Sequence, residues 1–258
     1  MILLLFIFVS ALVLALSLAL GQPPRKAFPR KLFQTWKSKE DIPRKMAYWS
    51  STWKDKNPSY EYILWDDADN LAFVKEKFPW FVPTYEGYDV EIKRADAIRY
   101  MFLYTYGGIY VDMDFECLKP LDELLDTYSN YDIILGSIDV GVKRDTWHLS
   151  NNIPNAIMIS KPGCEFWIDV LKELQLRAKT QQRVESTTWP IVLKECYFRA
   201  WTLGIKVLEP SVLYPISWVS DEEIRMKSLS NTNVEELSKE MAALYPNSYA
   251  VTYWTHSW

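Results

Sequence analysis

The stretch that decides the reading runs from Asp89 to Asp114, DVEIKRADAIRYMFLYTYGGIYVDMD. Val90, Ala97, Met101 and Tyr104 fall near one face at helical spacing, which predicts a helix over Asp89–Tyr106. Gly107-Gly108 ends it, because glycine enters the left-handed backbone region without a Cβ penalty. The apolar run Ile109–Val111 then predicts a strand that ends in Asp112, Met113 and Asp114. In extended chain, residues two apart point to the same side, so both carboxylates are expected on one side of the strand. Two hard oxygen donors suit Mn²⁺ or Mg²⁺, which binds one or two carboxylates and completes its shell with phosphate oxygens and water. An isolated Asp-x-Asp is nevertheless more often a solvated strand end. Upstream, Asp96 and Arg99 at i and i+3 share a helix face, where they either form a surface ion pair or hold ligand hydroxyls and phosphate.

Working outward, short apolar runs alternate with helical patterns and no repeat, low-complexity tract or Gly/Ser linker interrupts them. Strands are predicted at Lys31–Trp36, Tyr60–Trp65, Asp132–Gly136, Asn155–Ser160, Lys206–Leu208 and Tyr249–Trp254. Helices are predicted at Ile42–Lys56, from Asp66 as cap to about Lys77, and at Cys164–Ala178, Pro190–Thr202 and Val234–Leu244. This alternation predicts one α/β domain with a mostly parallel central sheet flanked by helices, and ligand sites beyond the strands' carboxyl ends.

The 258 residues carry Lys+Arg 29 against Asp+Glu 33, a formal charge of −4 that argues against binding nucleic acid through its phosphates. Aromatics at 15%, with 12 Trp and 16 Tyr, exceed ordinary packing needs and would suit flat ligands such as sugar rings or bases if exposed. Ile2–Leu20 is an uncharged apolar run that as a helix is about 28 Å long, roughly one bilayer core. We read residues 1–21 as a signal peptide or an uncleaved signal-anchor, and 22–258 as the folded domain delivered to the secretory lumen. Cys117, Cys164 and Cys196 allow at most one disulfide, and the spacing is too wide for a metal knuckle. Charges such as Lys172, Glu173 and Arg177 read as solvated helix surface.

RADAIRYMFLYTYGGIYVDMD, Arg94–Asp114, resembles the signature of the DXD-containing glycosyltransferases of family thirty-two, including the fungal initiating α-1,6-mannosyltransferases and the inositol-phosphoceramide mannosyltransferases. The likeness extends to PRKLFQTWKS (Pro29–Ser38), NPSYEYILWDD (Asn57–Asp67), IPNAIMISKPGCEFW (Ile153–Trp167) and the closing THSW (Thr255–Trp258). It implies a GT-A fold, a nucleotide-sugar donor, Mn²⁺ and retention of anomeric configuration. It assigns Asp112 and Asp114 to metal and diphosphate, Asp114 being the direct ligand, and Asp96 and Arg99 to the donor sugar's hydroxyls. Trp36 matches an aromatic near the nucleotide base, although by pattern alone it reads as core. Gly107, Gly108 and Tyr110 complete the donor-side set. His256 and Ser257 match groups that approach the metal, and with Trp258 the β-phosphate. Asp139, after a predicted strand, and Trp189, where relatives carry glycine before proline, are candidate acceptor-side residues. A second departure is that the sequence ends directly at Trp258.

The resemblance favours GDP-mannose as donor, with UDP-galactose or UDP-N-acetylglucosamine as alternatives, and a glycan or glycolipid as acceptor. With no second carboxylate marked as nucleophile, front-face attack is the expected route. A carbohydrate-binding relative that has lost turnover is the competing reading.

Overall fold

The computed structural model describes residues 26–138, 153–180, 184–188, 190–200, 204–217 and 233–255, with positions 221, 224, 227 and 230. Eight strands are described: β1 (Lys31–Thr35), β2 (Glu61–Trp65), β3 (Gly108–Val111), β4 (Phe115–Cys117), β5 (Ile133–Gly136), β6 (Ile157–Ser160), β7 (Ile205–Leu208) and β8 (Ala250–Thr252). The longer helices are α1 (Arg44–Lys56), α2 (Asp67–Lys77), α3 (Glu91–Tyr106), α4 (Phe166–Arg177), α5 (Pro190–Arg199) and α6 (Val234–Leu244).

Six strands form the central sheet in the order β2-β1-β3-β6-β5-β7. The β1–β2, β1–β3 and β5–β7 pairs are parallel, and β6 runs antiparallel to both β3 and β5. The mostly parallel sheet flanked by helices expected from the alternation is therefore present, with one reversed strand. That reversal brings the start of β6 to the carboxyl end of β3, where the Asp112 N–H donates to Ala156 O at 2.8 Å.

The pleat separates two cores. On β3, Ile109 and Val111 join Leu32, Ile134, Ile157 and Ile159 on one face, while Tyr110 joins Phe33, Met158, Trp167 and Tyr100 on the other. Among the described residues, tryptophans mostly pack the interior: Trp49, Trp53 and Trp167 are fully buried, and Trp80 is exposed.

Local chemistry sets the element ends. Asp66 caps α2 in a reciprocal box with Asp69, as its position predicted. At the end of α3, Gly107 has φ 64° and Gly108 φ 91°. A Cβ on Gly107 would lie 2.8 Å from Ser160 O, and one on Gly108 2.6 Å from Lys31 O. Both glycines are thus required where β1, β3 and β6 converge, at the end of β3 opposite Asp112. The strand predicted at Tyr249–Trp254 is the shorter β8, which pairs with β4 outside the central sheet. The sequence reading missed β4, because three residues with a central glutamate carry no apolar run. Val90, expected on the apolar face of α3, is exposed.

The three cysteines are free thiols. No helix among the described residues is long and apolar enough to cross a membrane; the Ile2–Leu20 run lies outside them.

Candidate active site

Asp112 follows the last residue of β3, and the chain turns there instead of continuing extended: Phe115 N–H donates to Asp112 O at 3.3 Å. The two carboxylates therefore do not share one side of a strand. Asp112 is turned inward and buried, while Asp114 is half-buried and meets the C-terminal segment.

Asp112 is held from several directions. Tyr110 OH donates to its Oδ1 at 2.7 Å, and the Arg99 guanidinium lies 3.4 Å from Oδ1 and 3.5 Å from Oδ2. Its carbonyl accepts from Gln34 Nε2 at 3.1 Å, and Gln34 is itself held by Tyr62 OH at 2.7 Å. Burial pushes the Asp112 carboxyl up to about 7, against the pull of Arg99, while the Asp114 charge adds to the rise.

Arg99, 1% exposed, links the acidic turn to α3. It pairs with Asp96 Oδ1 at 3.1 Å, donates to Ala95 O at 3.1 Å and Asn155 O at 3.0 Å, and stacks over the Tyr110 ring at 4.9 Å. Asp96 is 0% exposed. Its Oδ1 accepts from Asn155 Nδ2 at 3.0 Å and its Oδ2 from Thr188 Oγ1 at 2.7 Å. Burial raises its pKa, and Arg99, Thr188 and Asn155 pull it back. The surface ion pair considered from the i, i+3 spacing is instead a buried charge network, in which exposed-pair energetics do not apply.

Asp114 Oδ2 accepts from both the Thr255 N–H at 3.0 Å and Thr255 Oγ1 at 3.3 Å, and Asp114 O accepts from the Tyr253 N–H at 3.1 Å. Two carboxylates, Asp96 and Asp112, face the Arg99 guanidinium, and Asp114 stands on the same turn as Asp112, an acidic set that a divalent cation would complement. No cluster of three metal-binding side chains occurs among the described residues. This donor set fits Mg²⁺ or Mn²⁺, which takes one or two carboxylates with phosphate and water. It does not fit an all-protein cage.

The structure thus brings together Asp96, Arg99, Tyr110, Asp112 and Asp114. It does not bring Gly107 and Gly108 to them, for both sit at the far end of β3. Trp36 follows β1 but is 3% exposed, packs with Trp49, Met46 and Met113, and donates its indole N–H to Asp41 O at 2.7 Å. It presents no free ring face to a base, in accord with the core reading from pattern alone. Asp139, Trp189, His256, Ser257 and Trp258 lie outside the described residues. Gln34, Asn155, Thr188 and Thr255, together with Tyr100, whose hydroxyl accepts from Asn155 Nδ2 at 3.0 Å, enter the network unforeseen as site residues. Asn155 carried a signal, a lone amide opening an apolar strand, and Thr255 lay in the closing THSW stretch of the resemblance without a role assigned to it; Thr188 carried none.

Residues 43–131 match the family described as "Glycosyltransferase sugar-binding region containing DXD motif". This region contains Asp96, Arg99 and the Asp112–Asp114 turn, and over it the chain is similar to the DXD-containing glycosyltransferases. Among curated relatives, "Mannosyl phosphorylinositol ceramide synthase SUR1" of Saccharomyces cerevisiae is 31% identical over 231 residues, 81% of this chain and 56% of that protein. "Inositol phosphoceramide mannosyltransferase 3" of Schizosaccharomyces pombe is 44% identical over 99 residues, covering 38% of this chain and 28% of that one. "Initiation-specific alpha-1,6-mannosyltransferase" of Candida albicans is 30% identical over 131 residues, 46% and 33% of the two chains. The chain spans little more than half the length of SUR1, and less of the other two. Among solved structures, "PaToxG Glycosyltransferase" superposes with a TM-score of 0.51 at 14% identity, over 88% of this chain and 90% of that chain, a likeness of fold.

Proposed function

We propose that the chain transfers a hexosyl residue, mannosyl from GDP-mannose, to a glycan or glycolipid acceptor in the secretory lumen, with retention of configuration. The observation that carries this reading is the buried Asp96–Arg99–Asp112 network ending in the half-buried Asp114, all inside the matched sugar-binding region. The printed activities of the relatives support mannose as the sugar and a lipid-linked or glycan acceptor. The apolar leader supports lumenal delivery, with the domain released or retained at the membrane according to whether the leader is cleaved.

Asp114 would hold the divalent ion directly, Asp112 would support it from the Arg99 side, and His256 and Ser257 would approach it by resemblance. When bound, the ion supplies Lewis-acid stabilisation of the departing nucleoside diphosphate. The remaining tasks fall to the chain. Arg99 and Tyr110 hold Asp112 in one rotamer, so the site is preorganised before the donor arrives. Asp96 accepts a hydroxyl of the donor sugar in place of the Thr188 hydroxyl now 2.7 Å from its Oδ2. Enclosure of Asp96 and Arg99 excludes water from that contact. In this reading Asp96 is committed to Arg99, Asn155 and a donor hydroxyl and Asp114 to the ion and Thr255, which leaves neither as a nucleophile; this favours front-face attack. Trapping a glycosyl adduct on any carboxylate overturns that route.

The test is nucleoside diphosphate release by residues 22–258 from GDP-mannose, UDP-galactose and UDP-N-acetylglucosamine, with Mn²⁺ and then with chelator, beside Asp114→Ala. Metal-dependent release from GDP-mannose, lost in the variant, is expected. Release from a UDP-sugar instead corrects the donor, and no release from a folded protein supports the carbohydrate-binding reading.

A further inference from the structure

Outside the network just described, one buried acid has no part in the proposed chemistry. Glu116, at the centre of β4, is 2% exposed, yet both its oxygens are engaged: Ser238 Oγ of α6 donates to Oε1 and Tyr253 OH to Oε2. A carboxylate is costly to bury, and an apolar residue would fill the position without that cost. The arrangement is intelligible from what it connects. Glu116 lies two residues after Asp114, and Tyr253 lies two residues before Thr255.

The C-terminal strand needs such a connection. β8 pairs with β4 over three residues, Phe115↔Thr252, Glu116↔Val251 and Cys117↔Ala250, in a two-stranded ribbon. A ribbon this short has little stability of its own. Beyond it, the backbone meets the acidic turn through Tyr253 N–H to Asp114 O and through the two Thr255 bonds to Asp114 Oδ2. The Tyr253 ring stacks on Trp49 of α1 at 4.3 Å, so its hydroxyl is aimed by packing at Glu116. α1 grips the same strand, since Trp53 Nε1 donates to Phe115 O at 2.9 Å and Thr52 Oγ1 accepts from Cys117 N–H at 2.9 Å.

We propose that Glu116 is a positioning residue: through Tyr253 it fastens the C-terminal segment to β4, and so seats Thr255 on Asp114 and fixes the orientation of that carboxylate. The consequence for metal binding rests on the transferase reading; the fastening itself does not. Supporting groups of this kind commonly change metal affinity about ten- to a hundredfold when removed.

The test uses the full chain and three variants: Tyr253→Phe, which deletes only the hydroxyl, Glu116→Gln, which keeps the shape, and Thr255→Ala. Hydrogen exchange without metal is read at the Tyr253 and Thr255 amides, both bonded to Asp114, and at β1 and β3 amides as the global reference. Mn²⁺ affinity is then titrated directly. In Tyr253→Phe the two C-terminal amides are expected to exchange at least about tenfold faster while β1 and β3 hold, and Mn²⁺ affinity to fall about tenfold. Glu116→Gln, which still accepts one hydroxyl bond, is expected to lie between that variant and the parent, and Thr255→Ala to weaken Mn²⁺ binding with Tyr253 exchange unchanged. Unchanged C-terminal exchange in Tyr253→Phe, or a rise shared equally by β1 and β3, overturns the fastening. Faster exchange with unaltered Mn²⁺ affinity overturns its effect on Asp114. A parent chain that binds no Mn²⁺ counts against the transferase reading, and the exchange data then decide the fastening separately.

Discussion

Arg99 is the residue on which the site turns, because it faces both Asp96 and Asp112 across α3 and the end of β3. Replacing it by leucine leaves two buried carboxylates without their cation, and we expect a loss of about 3–5 kcal/mol in urea unfolding. A loss under about 1 kcal/mol would mean that water or a neighbour already satisfies those acids. Adding Asp112→Asn should restore part of the loss, as required of residues in one network. Asp112 also predicts a pH dependence. Its carboxyl is pushed up to about 7 by burial, and only the ionised form binds a cation, so metal binding must release its proton below that pH. Mn²⁺ affinity is therefore expected to fall by up to about tenfold for each pH unit below 7 and to level off above it. A flat titration over that range would show that Asp112 stays ionised throughout. Asp112 and Asp114 were legible as a pair from spacing; that one faces Arg99 and the other Thr255 was not, because a turn replaces the extended backbone on which the same-side argument rests.

At the scale of elements, the junction of α3 and β3 shows how a correct local reading can assign the wrong purpose. The glycine pair was expected to end the helix, and it does, at φ 64° and 91°. Its second expected use, close approach to a donor, fails because the neighbours at that point are Lys31 on β1 and Ser160 on β6. Gly108→Ala is thus expected to cost roughly 2 kcal/mol or more, from a left-handed backbone and a Cβ 2.6 Å from Lys31 O, while the folded fraction keeps its donor affinity. A variant of parental melting temperature with weakened donor binding would return the glycines to the site. Single helices and long strands were legible because period and capping are local, as with Asp66 before α2. β4, and the pairing of β8 with it, were not, since three-residue strands are defined by their partner rather than by composition.

Across the whole molecule, burial also governs the cysteines. Cys117 is pushed up to about 12 and Cys196 to about 11 by burial, and Cys164 is raised less and remains half-buried. Brief alkylation of the native protein at neutral pH is expected to modify Cys164 first, with Cys117 and Cys196 reacting only on unfolding, as mass spectrometry of the peptides would show. Early modification of Cys117 would mean that β4 and its cover open readily. By itself the sequence determined the class of fold, the order of the main helices and strands, and the two aspartates at the end of β3, because hydrophobic period, caps and glycine stops act within a few residues of chain. Only the tertiary structure decided that Trp49, Trp53 and Trp167 are buried in the interior, that β6 runs backwards to deliver Asn155, and that Thr188 and Thr255 come to Asp96 and Asp114 across 92 and 141 residues. Those contacts depend on packing between distant segments, and no local pattern records which carboxylate a remote hydroxyl will meet.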